Sequence, residues 1–438
     1  MSRFALLLLL IPSVVLANEP LPPEPAEPPV EPSAEPPPPV EPPAAQPAPP
    51  VAPAPVSEPA PADKPKPGVE VSAKPGSGVT FKAGDKFSLN LRGRGQVRYQ
   101  IHAAPPVDGE RTFDESAIAN TVRVWLGGNL LEPRLTYMVQ LALGDRDFRD
   151  GAVSPIFDAY LDYKTTANIS IRAGQFFVPF DRLRTVREFA LQLGERPRPV
   201  TELTLDRDIG IVVYSEKFLD TPLTWRLGLW GGNGVNRSKV AKVGQMLTAR
   251  VELRPLGPFD DDSEGDLERR RDPKLAIGAG WASNFNTDRG RSTTGAFLEN
   301  DFNYHHQAVD AVFKWRGFAA QLEFLRRTSK TTSWEVIAMG MPATQFTREG
   351  WGWVAQASYV FDPPIELVGR LSRLYAEDGT DPKYITEVDT LGQEYAAGVN
   401  YYLNGHQFKL QADWIGRTAT TGNGKLDHLF QVQVDFTF

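Results

Sequence analysis

The chain has 438 residues, 39 prolines, no cysteine and a formal net charge of -7. The lack of cysteine excludes a disulfide scaffold, cysteine-ligated zinc, a thiol nucleophile and a lipid anchor on cysteine, and it fits an exported protein. The acidic balance is no guide to any channel, because carboxylates gather in the proline-rich stretch (Glu19, Glu24, Glu27, Glu31, Glu35, Glu41, Glu58) and in Asp260, Asp261, Asp262, Glu264, Asp266 and Glu268.

Residues 1–17 read as an export signal. Arg3 gives the positive start, and Phe4 to Leu16 is an apolar run too short to span a bilayer as a helix. Val15-Leu16-Ala17 offers a small-residue cleavage site. Residues 18–78 are mostly Pro, Ala, Glu and Val. Proline removes amide donors and fixes φ, so this segment is expected to be disordered and polyproline-like, on the periplasmic side. It is either a plain linker or an arm that reaches peptidoglycan or another periplasmic partner.

From residue 79 to 438 the texture is that of one domain. In Phe87-Ser88-Leu89-Asn90-Leu91-Arg92 apolar and polar residues alternate, the pattern of a strand with one oily and one wet face. The alternation predicts sixteen strands: 86–102, 116–130, 135–145, 155–164, 168–179, 207–218, 223–231, 243–254, 273–285, 303–316, 318–328, 351–361, 365–375, 391–403, 407–417 and 428–438. The connections alternate short and long, as in barrels with short periplasmic turns and longer external loops. The connection 255–272 breaks that rule, being long and acidic on the short-turn side, and no role for it follows from the sequence.

The fold class is therefore all-β, a transmembrane antiparallel barrel of sixteen strands behind a disordered proline-rich segment. Strand length, aromatics near strand ends (Trp225, Trp281, Trp315, Tyr401, Trp414) and the export signal favour lipid over a soluble sandwich. The last strand ends on Phe438, with Phe430, Val432, Val434 and Phe436 alternating with polar residues. This resembles the terminal strand of bacterial outer-membrane barrels.

The runs Phe157-Asp158-Ala159-Tyr160-Leu161-Asp162-Tyr163 and Arg172-Ala173-Gly174-Gln175-Phe176-Phe177-Val178-Pro179-Phe180 resemble the phosphate-selective porin O and P family. So do Arg207-Asp208-Ile209-Gly210-Ile211 and Asn400-Tyr401-Tyr402-Leu403-Asn404-Gly405-His406. The resemblance implies an outer-membrane porin of a Gram-negative bacterium, usually a homotrimer, whose third loop folds inward. Here that loop is about 181–206, and it carries Arg182, Arg184, Arg187, Arg196 and Arg198. Guanidinium forks suit phosphate oxygens, so these residues are the expected anion-binding constriction. Arg92, Arg94, Arg98 and Arg123 form an expected basic stripe on the lumen face of the first two strands. The same loop holds Asp181, Glu188, Glu195 and Glu202, and Asp158, Asp162, Asp310, Glu366 and Asp413 also face inward.

The expected function is passive diffusion of small anions, phosphate or polyphosphate among them. The alternatives are a general non-selective porin, or a barrel that anchors the outer membrane to the cell wall through the proline-rich arm. The five histidines show no serine partner and no metal-site spacing, so neither catalytic residues nor a metal or cofactor are expected. Aromatics on the oily face point to outer-membrane lipid as a partner, with no nucleic acid.

Overall fold

The computed structural model describes residues 68–106, 109–148, 154–165, 168–218, 221–235, 245–259, 262–338, 340–362, 364–419 and 425–438. The leader, most of the proline-rich segment, Asp260 and Asp261 lie outside these residues.

Sixteen antiparallel strands close into a barrel. They are β3 (Phe87–Ala103), β4 (Phe113–Leu130), β5 (Glu132–Ala142), β6 (Ile156–Lys164), β7 (Ser170–Phe177), β8 (Arg207–Ser215), β9 (Leu223–Trp230), β10 (Gln245–Leu253), β11 (Lys274–Arg291), β12 (Thr294–Trp315), β13 (Phe318–Ser329), β16 (Gly350–Val360), β17 (Ile365–Ala376), β18 (Gln393–Tyr402), β19 (Phe408–Thr418) and β20 (Asp427–Thr437). A hairpin of β1 (Glu70–Lys74) and β2 (Gly78–Ala83) precedes them and pairs with the start of β3. The folded part thus begins ahead of residue 79.

The final strand shows how sequence becomes closure. Phe430, Val432, Val434 and Phe436 point outward, while Gln431, Gln433 and Asp435 are buried inside. β20 pairs with β3, Gln433 facing Arg98 and Asp435 facing Gln96. Arg94 grips Asp435 with two parallel bonds, Nε to Oδ1 at 2.8 Å and Nη2 to Oδ2 at 2.7 Å. Outside, the rings of Phe436 and Phe438 occupy the space where a Cβ on Gly95 or Gly93 would sit. The seam is therefore ion-paired on its wet face and aromatic on its oily face.

The same inversion runs around the wall. Ile209, Leu227, Leu322, Leu367 and Val432 are exposed, whereas Arg98, Lys314, Arg327, Glu366, Glu394 and Lys409 are buried. A protein in water would not expose that much apolar area or enclose that many charges; a barrel in hydrocarbon does both. No helix among the described residues is long and apolar enough to cross a membrane.

All sixteen expected barrel strands are present, most within a few residues of their expected ends. Several expected loops contain more structure than the sequence pattern showed. The span 286–302 is not a loop, because β11 and β12 run on as a long hairpin turning at Ser292 and Thr293. The loop 329–350 holds a hairpin, β14 (Ser333–Ala338) with β15 (Met341–Phe346). The loop 376–390 holds a helix over Pro382–Leu391, started by Pro382 and capped by Asp381, whose carboxylate accepts from Lys383 N at 2.9 Å. On the short-turn side Arg316 and Gly317 both have positive φ, 52° and 90°, the geometry of a two-residue hairpin turn.

Candidate permeation lane

The connection from β7 to β8 enters the lumen from the long-loop end. It forms α1 (Arg182–Thr185), a short 3-10 turn at Glu188–Ala190 and α2 (Arg198–Leu203). Asp181 caps α1 by accepting from Arg184 N at 3.1 Å, and Pro199 starts α2. The segment is held by its apolar side. Leu183, Val200, Leu203 and Leu205 are buried with Leu325, Val354 and Leu374 of β13, β16 and β17. Each such side chain contributes about 1.5–3 kcal/mol by leaving water, enough to fix the segment to one wall.

Polar bonds complete the attachment. Gln192 donates to Ser358 Oγ at 2.6 Å and its backbone oxygen accepts from Asn400. Lys409 Nζ donates to the carbonyl of Leu191 at 2.6 Å, and Gly194 N to Asp413 Oδ2 at 3.0 Å. Arg98 binds Glu195 and the carbonyl of Gly194. Arg327 clamps Glu202, Nη2 to Oε1 at 2.6 Å. All of these partners lie on β3, β12 to β20 or their neighbours, so the loop fills that side of the lumen.

Two cavities lie on the opposite side, along β4 to β10. One, of about 570 Å³, lies toward the short turns and is lined by Trp125, Tyr160, Tyr214, Arg226 and Arg254 among others. The other, of about 410 Å³, lies toward the long loops beside Arg146, Arg289 and Arg291. Both are lined by Arg123, Phe157, Arg184, Glu188, Arg196 and Arg207, which therefore make the neck between them. The larger cavity presents eleven arginines against five carboxylates, so its surface is net positive.

The neck is a mesh of guanidinium and carboxylate groups. Arg184 Nη2 sits 2.6 Å from Asp206 Oδ2, and Arg207 binds Asp158 at 2.9 Å and Asp206 at 3.3 Å. Arg123 pairs with Asp147 and lies 3.6 Å from Glu188, which Arg146 approaches at 3.7 Å. Burial alone would raise the Glu188 carboxyl, but Arg146, Arg123, Arg196 and Arg94 override it and hold it well below the usual carboxylate range. Asp206 is likewise brought down to about 2, burial being outweighed by Arg184 and Arg207. Burial and then Arg184 lower the Arg196 guanidinium to about 10, so it remains charged at neutral pH.

Aromatic rings brace the cations. The guanidinium of Arg207 lies 3.4 Å from the ring centre of Phe157 and 3.9 Å from that of Phe177. Arg123 also lies over Phe157 at 4.4 Å, and Arg184 over Phe177 at 4.9 Å. A ring face holds a guanidinium plane while leaving its N–H edges free, which fixes donors without consuming them.

The expected constriction residues divide in space. Arg184 and Arg196 stand in the neck, and Arg182 and Arg187 line the larger cavity. Arg196 donates to the carbonyls of Leu183 and Val186. Arg187 is exposed, and its side chain makes no hydrogen bond or ion pair among the described residues. Arg198 lines neither cavity and binds Glu387 at 2.7 Å. In the expected stripe, Arg94 and Arg123 line the larger cavity, while Arg98 is enclosed against Glu195 and Gly194. Arg92 is half-buried and lines neither cavity.

The inward acids noted in the sequence have partners: Asp158 with Arg207, Asp162 with Arg172, and Asp310 with Arg250 at 2.7 Å. Glu366 accepts from Asn400 and Tyr402. Arg172, Arg207, Arg226, Arg250 and Arg254 were missed as lining residues. Strand parity marks Arg172, Arg226 and Arg250 as inward, since Ile171, Leu227 and Val251 are exposed. Parity misplaces Arg207, which shares the outward register of Ile209 and Ile211 but turns in at the strand start toward Asp158.

The sequence profile described as "Phosphate-selective porin O and P" matches residues 94–438. Among solved structures, Salmonella typhi OmpF in complex with daunomycin aligns with TM-score 0.51 and 14% identity over 80% of this chain and 98% of that one. OmpTdeltaL8, a loop-deleted outer membrane protein of Vibrio cholerae, aligns with TM-score 0.51 and 12% identity over 80% of this chain and 99% of that one. At such identities the likeness is one of fold. No curated protein sequence matches the chain.

Proposed function

We propose, on the premise that the chain belongs to the phosphate-selective porin O and P family, that small anions diffuse passively through the lane along β4 to β10. Phosphate and polyphosphate are among them. Membership of this family and the porin fold make the protein an outer-membrane channel. Its preference for anions is our reading. The observation that carries it is the eleven-to-five excess of arginines over carboxylates around the larger cavity, with Arg187 unpaired inside it.

The chemistry follows from the mesh. An entering anion meets Arg146, Arg289 and Arg291 at the long-loop end, passes Arg123, Arg184, Arg196 and Arg207 in the neck, and leaves past Arg187, Arg226 and Arg254. Guanidinium N–H groups replace part of its water shell at each stage. Resident carboxylates such as Glu188 and Asp206 compete for the same donors, so no stage holds the anion tightly. Transport needs that balance, because a site must release as well as bind.

The short-turn end faces the periplasm, where the proline-rich arm extends and meets peptidoglycan or another periplasmic partner. The barrel assembles as a homotrimer in the outer membrane of a Gram-negative bacterium after loss of the signal peptide.

The test is the zero-current potential of the purified protein in a planar bilayer under a potassium chloride gradient, repeated with phosphate. An anion-selective sign and a chloride current reduced by phosphate are expected. An unselective or cation-selective potential without block would leave a general porin, and no conductance would favour an anchor.

A further inference from the structure

The connection from β10 to β11 is long where every other short-turn connection is brief, and its buried tip lies inside the barrel. Glu264 is 3% exposed and Asp266 is 0% exposed. Glu264 Oε2 accepts from Gln192 N at 2.7 Å and from Gln356 Nε2 at 3.0 Å. Ser263 accepts from Lys314 Nζ through its carbonyl at 2.7 Å and its hydroxyl at 3.1 Å. Asp266 accepts from Gly317 N at 2.8 Å and from Arg270 Nη1 at 2.6 Å. A Cβ on Gly265 would lie 2.4 Å from Glu366 Oε1, so the tip fits only because that residue has no side chain. Glu366 is itself fixed by Gln192, Asn400 and Tyr402 and cannot retreat freely.

Two segments thus enter from opposite mouths and meet at Gln192 and Glu264. From these contacts we infer that Ser263–Asp266 is a fixed inner wall that sets the bore of the channel. It closes the short-turn end of the lumen beside β12 to β17, and it leaves only the lane along β4 to β10, which Phe259 and Asp262 of the same connection help to line. Glu264 is the positioning residue: its carboxylate ties the wall to the inward loop. This inference does not depend on which ion the lane prefers.

The test is single-channel conductance of the full chain in planar bilayers. Replacing residues 262–266 with a Gly-Ser linker should raise conductance by about twofold, as expected if an enclosed share of a sixteen-strand lumen becomes aqueous. Glu264→Ala and Gly265→Leu should give a smaller rise with added open-channel noise. Ser358→Cys, behind the wall in a chain with no other cysteine, should resist a charged methanethiosulfonate alone and react once Glu264→Ala is added. Folded variants with wild-type conductance and noise would overturn the inference. So would rapid reaction of Ser358→Cys with the wall intact. Conductance and cysteine reactivity both decide this inference whatever the sign of the zero-current potential, which tests the anion preference instead.

Discussion

The two sides of the lumen use the same residue types to opposite ends. Along β12 to β20 arginines and lysines are enclosed and matched: Arg327 with Glu202, Arg370 with Glu394 at 2.9 Å, Lys409 with the carbonyls of Phe189 and Leu191. Along β4 to β10 they are braced by rings, partly offset by carboxylates, and open to a cavity. The first arrangement fastens a loop to a wall; the second presents donors to solvent. What separates them is not composition but whether an inserted segment covers the guanidiniums.

Removing an acid from the filled side should have the largest effect. Glu202 offsets Arg327, Arg291 and Arg348. Glu202→Ala would strand the buried Arg327 and should cost about 3–5 kcal/mol. Denaturant unfolding in detergent should show that loss, and limited proteolysis should show new cleavage within 181–206.

Next comes Arg187→Glu on the open side. With no partner to lose, the change should alter stability by less than about 0.5 kcal/mol. The zero-current potential should nevertheless move toward cations. A large loss of stability here would show that the two sides are not distinct.

Phe177→Ala sharpens the role of the rings. It removes one of the two faces around Arg207 and the ring under Arg184, and should cost about 0.5–2 kcal/mol with a weaker anion preference. Thermal unfolding and the zero-current potential read the two effects separately.

The smallest effect concerns pH. The Asp206 carboxyl is held at about 2 in the fold against an ordinary value near 4. Its folded value is depressed, so its bond to Arg184 gives stability that is full above about 4 and is lost as pH falls through about 2. Conductance and unfolding should therefore be insensitive to this group from pH 7 to 5. A transition from it in that window would contradict the ion pair.

Much of this fold was legible because a barrel wall writes its geometry into alternate residues. β20 and β16 could be placed from parity alone. The lumen contents were harder to read, because neither inserted segment has a period. Val200, Leu203 and Leu205 are apolar for contacts with Leu325, Val354 and Leu374, which are distant in sequence. Arg198 and Arg184 look alike in the sequence, yet Glu387 takes one out of the lane while Asp206 keeps the other in the neck. The acidic run near Glu264 read as a loop, since nothing local shows that Gln192 and Gln356 wait for its carboxylate.

In the function we propose, solutes travel on one side of the lumen only. Cysteine accessibility tests it directly, because the chain has no cysteine of its own. Arg187→Cys on the open side and Gln411→Cys on the filled side would each be exposed to a charged methanethiosulfonate while current is recorded. We predict a prompt, lasting fall in current for Arg187→Cys and none for Gln411→Cys. Block at Gln411→Cys with silence at Arg187→Cys would contradict it.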